Sequence, residues 1–284
     1  MNQIGLFIIR ILSILPLWFL RLFALKTYIL LILFGYRKSV ITQSLNNSFP
    51  NKSTEEKSRI TKLFYWHFAH FLTEMIKMFC ISKKSIKKRI QFKNKALLQN
   101  YYNKGKDVIL VLGHYGNWEW GLLAASLVSD HEMVGIYKPL SSSFWNHQIK
   151  KLRSKFGATL VSMKGSVRYI LKQGDKPRII GVIGDQTPNK NEIDYWTTFL
   201  NQETAVFSGT EKLAKKLNCP VLFAHIDKIK IGYYEVSFEL ITQTPQEQVD
   251  GEITNLHTQK LEEKIKERPE LWLWSHRRWK NSRT

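Results

Sequence analysis

The sequence predicts an α/β fold with a mixed, mostly parallel sheet flanked by helices, and three observations support this. From residue 106 onward, short apolar runs alternate with segments of helical period. These runs are continuously apolar, which is typical of strands that helices cover on both faces. The chain has 284 residues, which is long enough to bury one large core. We therefore predict a single α/β domain over residues 37–284, preceded by a membrane-associated helical segment over residues 1–36.

The N-terminal segment is apolar but carries isolated cations. Residues 4–36 are interrupted by Arg10, Arg21 and Lys26, so no uncharged run reaches the length of about 18 residues expected of a spanning helix. No basic start or small-residue cleavage site indicates a secretory signal. We predict a helix or helical pair that lies in one leaflet, with the basic side chains reaching the headgroups. A spanning helix and a buried N-terminal helix remain alternatives.

A second helical block follows residues 51–54, which are suited to capping a helix. His67 and His70 share this block, and in the absence of a nearby third ligand we predict packed histidines rather than a metal site. The lysine-rich run over residues 82–95 comes next. It is either a solvated helix face or a binding surface for lipid phosphates or an acidic protein.

The body of the chain supplies strands and helices in alternation. Strands are predicted at residues 107–113, 133–138, 158–163, 178–185 and 220–226, followed by a hairpin-like pair over 228–241. Helices are predicted at residues 117–130, 144–157, 165–174, 209–218 and 252–269.

Polar residues follow two of these strands at the point where each strand ends. His114 follows the apolar run VILVL, and Asp185 and Gln186 follow the run IIGVIG. Ligands of open α/β sheets bind beyond the carboxyl ends of the strands. If the two strands are parallel, both polar groups open onto one edge, which is our predicted active site.

The stretch GHYGNWEW, residues 113–120, has the composition of a sharp turn from a strand into a helix. Gly113 and Gly116 permit the turn, and Asn117 is a good helix N-cap. Glu119 then either stabilises the first turn of the helix or orients His114 as a general base. No Ser or Cys occupies a nucleophile position here, so we expect direct attack by a substrate hydroxyl or amine. Metal binding is the competing interpretation of His114, although no ligand spacing supports it.

The net charge of +20 predicts an anionic partner, which is a nucleic acid, an anionic membrane or an acidic protein. The aromatic residues and the apolar N-terminus favour the membrane interface over nucleic acid. The chain has two cysteines without paired-ligand spacing, so neither a disulfide framework nor a zinc site is expected.

The chain resembles the bacterial lipid A biosynthesis acyltransferases, a branch of the lysophospholipid acyltransferase superfamily. GHYGNWEW looks like the His-x4-Asp/Glu block of that superfamily. Further blocks agree in order over nearly the whole chain. They are VITQSLNNSFPNKSTEE, IYKPL, RSKFGATLVS, GDQTP, FLNQETAVFSGTEKLAKKLNCPV and ELWLWSHRRWK.

The resemblance implies a reaction, its two substrates and a location. His114 is then the general base and Glu119 its orienting acid. The acyl donor is a thioester of acyl carrier protein, which acts as a cosubstrate, and no other cofactor is expected. The acceptor is a lipid such as a lipid A precursor, with another lysolipid or an aminolipid as the alternative. The location implied is the cytoplasmic face of the bacterial inner membrane.

The resemblance also implies further substrate-binding residues, namely Arg153, Asp185, Gln186, Arg277 and Arg278. Surface ion pairing is the alternative for the three arginines, and structural hydrogen bonding is the alternative for Asp185. A protein without enzymatic activity that binds anionic membranes or nucleic acid is the rival class, and it assigns no role to His114.

Overall fold

The computed structural model describes residues 2–172, 174–281 and 283. The helices are α1 (Asn2–Ile14), α2 (Leu17–Leu33), α3 (Lys38–Ser48), α4 (Thr54–Lys77), α5 (Lys83–Arg89), α6 (Ala96–Asn103), α7 (Trp118–Ala125), α8 (Ser143–Arg153), α9 (Met163–Leu171), α10 (Gly209–Leu217) and α11 (Glu252–Glu267). The strands are β1 (Ile90–Phe92), β2 (Val108–Leu112), β3 (Glu132–Tyr137), β4 (Thr159–Ser162), β5 (Arg178–Ile183), β6 (Tyr195–Phe199), β7 (Gln202–Val206), β8 (Val221–Lys230) and β9 (Tyr233–Thr242). From residue 90 onward, strands follow helices in alternation except where β5, β6 and β7, and then β8 and β9, succeed one another without an α-helix between them.

Seven of these strands form the main sheet, in the order β1-β9-β8-β2-β5-β3-β4. Strand β2 lies near its centre and pairs in parallel with β5 on one side and β8 on the other. Strand β9 is antiparallel to β8, and β1 is parallel to β9. The sheet is therefore mixed and mostly parallel, which confirms the predicted fold class.

Strand β2 is buried on both faces, as its unbroken apolar sequence predicts. Val108 and Leu110 belong to the core on one face, which also contains Trp118 and Trp120 of α7. Ile109 and Val111 belong to the core on the other face. Because helices cover both faces, the carboxyl end of β2 is where polar groups can emerge from the sheet.

The hairpin-like pair predicted over residues 228–241 is only partly correct. Strand β8 extends from Val221 to Lys230, with a shift in its pairing to β9 between Lys228 and Lys230, and β9 alone forms the return strand. Asp227 and Lys228 stay in the ladder, opposite Glu235 and Tyr234. The prediction divided this strand between residues 226 and 228, but polar residues are compatible with a strand that has one accessible face.

A second hairpin, β6–β7, lies where the sequence indicated only a loop. Its turn residues Leu200 and Asn201 have φ angles of 50° and 61°. Such turns are usually built from Asn-Gly or Asp-Gly pairs, so a turn that begins with Leu gives little signal in the sequence. A tertiary contact stabilises it, because the Leu200 N–H donates to Glu262 Oε2 of α11 at 2.7 Å.

The N-terminal apolar segment forms two helices, α1 and α2, which are separated at Pro16 and contact α4. Many large apolar side chains on these helices face solvent, among them Ile4, Phe7, Ile8, Ile14, Trp18, Leu30 and Leu33. Among the described residues, no single helix is both long and apolar enough to cross a membrane. The pair α2 and α3, bent by 82°, meets that requirement only when the two are taken together.

Helix α4 begins with the predicted cap. Ser53 Oγ accepts from the Glu56 N–H at 3.2 Å, and Glu56 Oε2 accepts from the Ser53 N–H at 2.7 Å, which is a capping box. The first part of the lysine-rich run forms α5, whose Ile86 is buried while Lys83 and Lys87 are exposed, and the run continues into β1. A solvated helix face is thus present, and whether it also binds a partner stays a prediction.

Candidate active site

His114 and Asp185 meet at the carboxyl edge of the sheet. Leu112, the last residue of β2, pairs with Ile183, the last residue of β5. The turns that follow these strands therefore lie side by side. His114 Nδ1 is 2.6 Å from Asp185 Oδ1, and the His114 N–H donates to Asp185 Oδ2 at 2.9 Å. The predicted shared edge is confirmed, although these two residues are far apart in the chain.

Gly116 allows the turn that carries His114. Its φ is 64°, and a Cβ at this position would lie 2.6 Å from the carbonyl oxygen of Ile226. Position 116 therefore requires glycine, because the positive φ disfavours other residues and a Cβ would clash with the Ile226 carbonyl oxygen. The Gly116 N–H donates to the carbonyl oxygen of Leu271 at 3.0 Å, which joins the turn to the C-terminal segment.

Asp185 is buried and is bonded on both carboxylate oxygens. Trp272 Nε1 donates to its Oδ2 at 2.8 Å, in addition to the two contacts with His114. Burial raises the pKa of the Asp185 carboxyl. The positive charge of a protonated His114 ring and the hydrogen bonds from His114 and Trp272 outweigh that effect, and the pKa lies well below its usual range. An ionised Asp185 holds the proton of neutral His114 on Nδ1, so that Nε2 carries the free electron pair.

The other ring nitrogen, His114 Nε2, lies 3.4 Å from Gln186 Nε2. Both residues line a cavity of about 520 Å³. Most of its lining is apolar, with side chains from α7, β2, β3, β5, β8 and β9. His114, Glu119, Arg153 and Gln186 are among the few polar residues that line it. An acid–base group therefore borders a space that is suited to a long apolar ligand.

Glycines shape the wall of this cavity. A Cβ at Gly181 would lie 2.6 Å from Met133 Cε, and a Cβ at Gly135 would lie 2.9 Å from Leu160 Cδ2. Larger residues at these two positions on β5 and β3 would force the neighbouring side chains to move. The cavity therefore depends on small residues in the central strands.

Glu119 does not make the predicted contact with His114. Its carboxylate, 4% exposed, accepts from Arg153 Nε at 2.8 Å and from Arg153 Nη2 at 2.5 Å. Asn117 Oδ1 accepts from the Trp120 N–H at 2.9 Å and caps α7. The carboxylate of Glu119, in the first turn of α7, thereby meets the last turn of α8, and the acid in contact with His114 is Asp185. Burial lowers the pKa of Arg153, but the hydrogen bond and charge of Glu119 raise it above its ordinary value overall.

The two neighbouring arginines of the C-terminal segment have different environments. Arg277 is exposed, whereas Arg278 is 2% exposed. Thr187 Oγ1 donates to the carbonyl oxygen of Arg278 at 2.6 Å, which holds this segment beside the loop that follows β5. The two guanidinium groups therefore face different surroundings, and a substrate-binding role for either arginine stays a prediction.

Helix α4 supplies two contacts to the His114 turn that the sequence analysis did not identify. Glu74 Oε2 accepts from Asn117 Nδ2 at 2.5 Å and from the Tyr234 hydroxyl at 2.8 Å. His67 Nε2 lies 3.2 Å from the Gly116 carbonyl oxygen, and Lys228 Nζ lies 3.2 Å from His67 Nδ1. The available signal was the presence of polar residues, among them His67 and Glu74, on the largely apolar buried face of α4. Burial and the charge of Lys228 lower the pKa of His67, which keeps its ring neutral.

The tryptophans of the C-terminal segment are packing residues, and one of them also belongs to the site. Trp272 and Trp274 are buried, and their rings meet edge to face with centroids 4.7 Å apart. Trp279 Nε1 donates to Thr204 Oγ1 at 2.8 Å. Trp272 donates to Asp185, a role that no motif in the sequence indicated.

Within the described part of the chain, no group of three or more His, Cys, Asp and Glu side chains is placed to hold a metal ion. His67 and His70 are both buried. His225 lies within β8 and contacts Glu239 Oε2 at 2.8 Å.

Comparison with known proteins identifies the family of this chain. A search of curated protein sequences gives no match. The sequence model of one family, described as bacterial lipid A biosynthesis acyltransferase, matches residues 1–281. Because this match covers nearly the whole chain, the protein belongs to the bacterial lipid A biosynthesis acyltransferase family and is an acyltransferase.

Proposed function

We propose that this protein transfers a fatty acyl chain from an acyl carrier protein thioester to a hydroxyl or amine of a membrane lipid, such as a lipid A precursor. The observation that carries the proposal is the position of His114. Its Nδ1 contacts Asp185 at 2.6 Å, and its ring lines the apolar cavity of about 520 Å³. A base with a fixed tautomer thus borders a space of the right chemistry for an acyl chain.

In the proposed reaction, His114 Nε2 removes the proton of the acceptor hydroxyl or amine. The acceptor atom then attacks the thioester carbonyl and forms a tetrahedral intermediate. When the intermediate collapses, the carbon–sulfur bond breaks and the imidazolium returns the proton to the departing thiolate. Asp185 stabilises the imidazolium between these two steps. We assign to Asp185 the orienting role that the sequence resemblance gives to Glu119.

The developing oxyanion needs hydrogen-bond donors. The backbone N–H groups of residues 114, 115 and 116 already donate within the protein. We therefore propose that the Gln186 amide and the Arg153 guanidinium supply this stabilisation, because both line the cavity beside His114. Glu119 then acts by holding Arg153 in place.

The acyl chain is proposed to occupy the apolar part of the cavity. Each buried methylene group contributes about 0.8 kcal/mol to binding, so a long chain supplies most of the affinity without polar recognition. The activated thioester provides the driving force for transfer, and the proposed reaction uses no metal ion or further cofactor.

Two surfaces support the proposed partners and location. The exposed lysines of α5 carry positive charge, which suits an acidic carrier protein or anionic lipid. The exposed apolar side chains of α1 and α2 lie near Arg10, Arg21 and Lys26 in the sequence, which is the composition of an interfacial anchor. We propose that this anchor holds the protein on the cytoplasmic face of the bacterial inner membrane.

The test is mass spectrometry of total lipids after membranes that contain the protein are incubated with a labelled acyl carrier protein thioester. We expect one lipid to gain one labelled acyl chain. His114→Ala should lower the rate by about 10² to 10⁴, the usual contribution of a general base. His147→Ala is the matched control, because His147 is an exposed histidine on α8.

Three results would contradict the proposal. Equal activity of the His114→Ala variant would exclude the base assignment. Release of free fatty acid without a labelled lipid would indicate a hydrolase. Binding to anionic vesicles with no His114-dependent change in any lipid would favour the rival class of binding protein.

A further inference from the structure

A second cavity, of about 10 Å³, adjoins Asp185. Most of its lining is apolar and comes from the ends of β2 and β5, from β6, β7 and β8, and from α11. Its polar lining residues are Asp185, His257, Thr258 and Arg278. A small polar space therefore lies next to the carboxylate that holds His114.

Two side chains bring unpaired nitrogens to this space. Arg278 is 2% exposed and His257 is 3% exposed. Arg278 Nε, Arg278 Nη1 and His257 Nε2 are buried and have no hydrogen-bond partner among residues 2–172, 174–281 and 283. A buried guanidinium without a partner is costly. Burial lowers the pKa of Arg278 to about 10, with the charge of Asp185 acting in the opposite direction, so Arg278 keeps its charge at neutral pH.

The dimensions and chemistry of the cavity fit one water molecule. A water needs a space of about 10–15 Å³ and two to four polar partners. Arg278 offers donors. Asp185 Oδ1 offers an acceptor, since its only hydrogen bond among the described residues is to His114 Nδ1. The neutral His257 ring adds a third partner, because burial lowers its pKa to about 4.

We propose that Arg278, His257 and one buried water form a polar support for Asp185, which makes Arg278 a positioning residue for the His114–Asp185 pair rather than a ligand of the lipid acceptor. The catalytic part of this inference rests on the proposed function, whereas the water site does not. The water accepts a hydrogen bond from Arg278 and donates one to Asp185 Oδ1, so that this oxygen accepts from both His114 and the water. His257 is the third hydrogen-bond partner of the water.

The backbone supports this assignment. Thr187, two residues after Asp185, bonds the Arg278 carbonyl oxygen at 2.6 Å. Trp272, six residues before Arg278, donates to Asp185 Oδ2 at 2.8 Å. The C-terminal segment thus contacts the Asp185 carboxylate through Trp272 and the loop that follows Asp185 through Arg278. In the proposed arrangement, the Trp272 indole restrains Oδ2 and the Arg278 water restrains Oδ1.

The water site is tested by a crystal structure of the full-length protein at a resolution that shows ordered water. We expect one peak within hydrogen-bond distance of Arg278, His257 Nε2 and Asp185. An empty cavity would overturn the proposal, as would an Arg278 side chain turned towards the acceptor. The crystal structure does not depend on acyl transfer, so it decides whether the water site exists even if the activity assay fails.

The positioning role is tested by steady-state kinetics of Arg278→Met and Arg278→Lys. For Arg278→Met we expect kcat to fall by about 10- to 100-fold, the range for loss of a charge-assisted hydrogen bond. The KM for the acceptor should stay within about twofold, because no ground-state contact is lost. Arg278→Lys, which keeps the charge, should restore part of kcat. Arg283→Met is the matched control, since Arg283 is an exposed arginine of the same segment.

A raised acceptor KM with unchanged kcat would overturn the inference, because Arg278 would then contact the acceptor. Unchanged kinetics in both variants would overturn it as well. Circular dichroism checks whether Arg278→Met folds. If it does not fold, the comparison between Arg278→Lys and the wild type decides the question. An Arg278→Lys variant with wild-type kcat and a raised acceptor KM would again contradict a positioning role. If the wild-type protein transfers no acyl chain, the proposed function fails, and the crystal structure alone judges the water site.

Discussion

Glu119 and Arg153 form a two-pronged ion pair that joins the first turn of α7 to the last turn of α8. The two hydrogen bonds measure 2.8 and 2.5 Å, and the Glu119 carboxylate is almost completely buried. The carboxylate five residues after His114 therefore holds a cation on the cavity wall, and the orienting contact to His114 comes from Asp185.

This pair predicts strong coupling between its two members. Glu119→Ala leaves Arg153 without its anion, and Arg153→Ala leaves a buried carboxylate without a cation. Each single change should lower the free energy of unfolding by about 3 kcal/mol, and the double variant should lose little more than either single one. Denaturant unfolding of the four proteins in a double-mutant cycle measures this, and additive losses would show that the pair is not coupled.

Asp185→Asn should reduce catalysis while preserving the fold. An amide in place of the carboxylate can donate towards His114 Nδ1, which favours the tautomer with its proton on Nε2, where the base needs a free electron pair. We expect a loss of about 10² to 10⁴ in kcat with little change in acceptor KM. Thermal unfolding is the control, and a variant that folds normally and keeps wild-type kcat would remove Asp185 from the mechanism.

The buried ring of His70 should make the protein less stable in weak acid. Burial, with the charges of Lys228 and Arg21, lowers the pKa of His70 to about 4. In the unfolded chain, His70 binds a proton near pH 6.5, whereas the folded protein keeps its ring neutral down to about pH 4. The folded state therefore has its full stability above about pH 6.5 and loses stability as the pH falls towards about 4. At about pH 5, His70 alone should cost about 2 kcal/mol relative to pH 7.

His70→Leu removes this proton and should reduce the loss of stability between pH 7 and pH 5 by about that amount. Denaturant unfolding of both proteins at the two pH values tests it. His147→Leu, at an exposed position on α8, should behave like the wild type. An identical loss in wild type and His70→Leu would assign the pH dependence to other groups.

Gly181→Leu should shorten the acyl chain that the enzyme accepts. Even a Cβ at Gly181 meets Met133 Cε at 2.6 Å, so a larger side chain forces atoms into the cavity. Each methylene group displaced from the cavity should cost about 0.8 kcal/mol, or about fourfold in kcat/KM. Long-chain donors should therefore lose activity while shorter ones keep it. Competition between acyl carrier protein thioesters of different length measures the shift.

Gly165→Ala is a suitable comparison for that experiment, because a Cβ at Gly165 meets only Ser162 Oγ, at an ordinary distance of 3.6 Å. It should leave the preference for chain length unchanged. An equal loss with donors of every length in Gly181→Leu would mean that the cavity does not hold the acyl chain.

The main strands and the position of the candidate site could be predicted from the sequence. Continuous apolar runs identified β2 and β5, and the residues after them identified His114 and Asp185 as neighbours at one edge. Both inferences depend on local patterns. A strand buried on two faces needs an unbroken apolar sequence, and the residues directly after such a strand lie at the edge of the sheet. The hairpin β6–β7 was missed because its turn contains Leu200 instead of glycine and is held by Glu262 of a distant helix.

The sequence by itself determined the fold class, the family and the histidine that we propose as the base, whereas only the tertiary structure decided which carboxylate lies against that histidine. Glu119 is close to His114 in the chain, yet α7 turns its carboxylate towards Arg153. Asp185 reaches the imidazole through the parallel register of β2 and β5, and Trp272 and Arg278 approach Asp185 from the C-terminal segment. Sequence spacing specifies only contacts within one turn or helix, while contacts between distant segments depend on strand register and on the packing of the whole core.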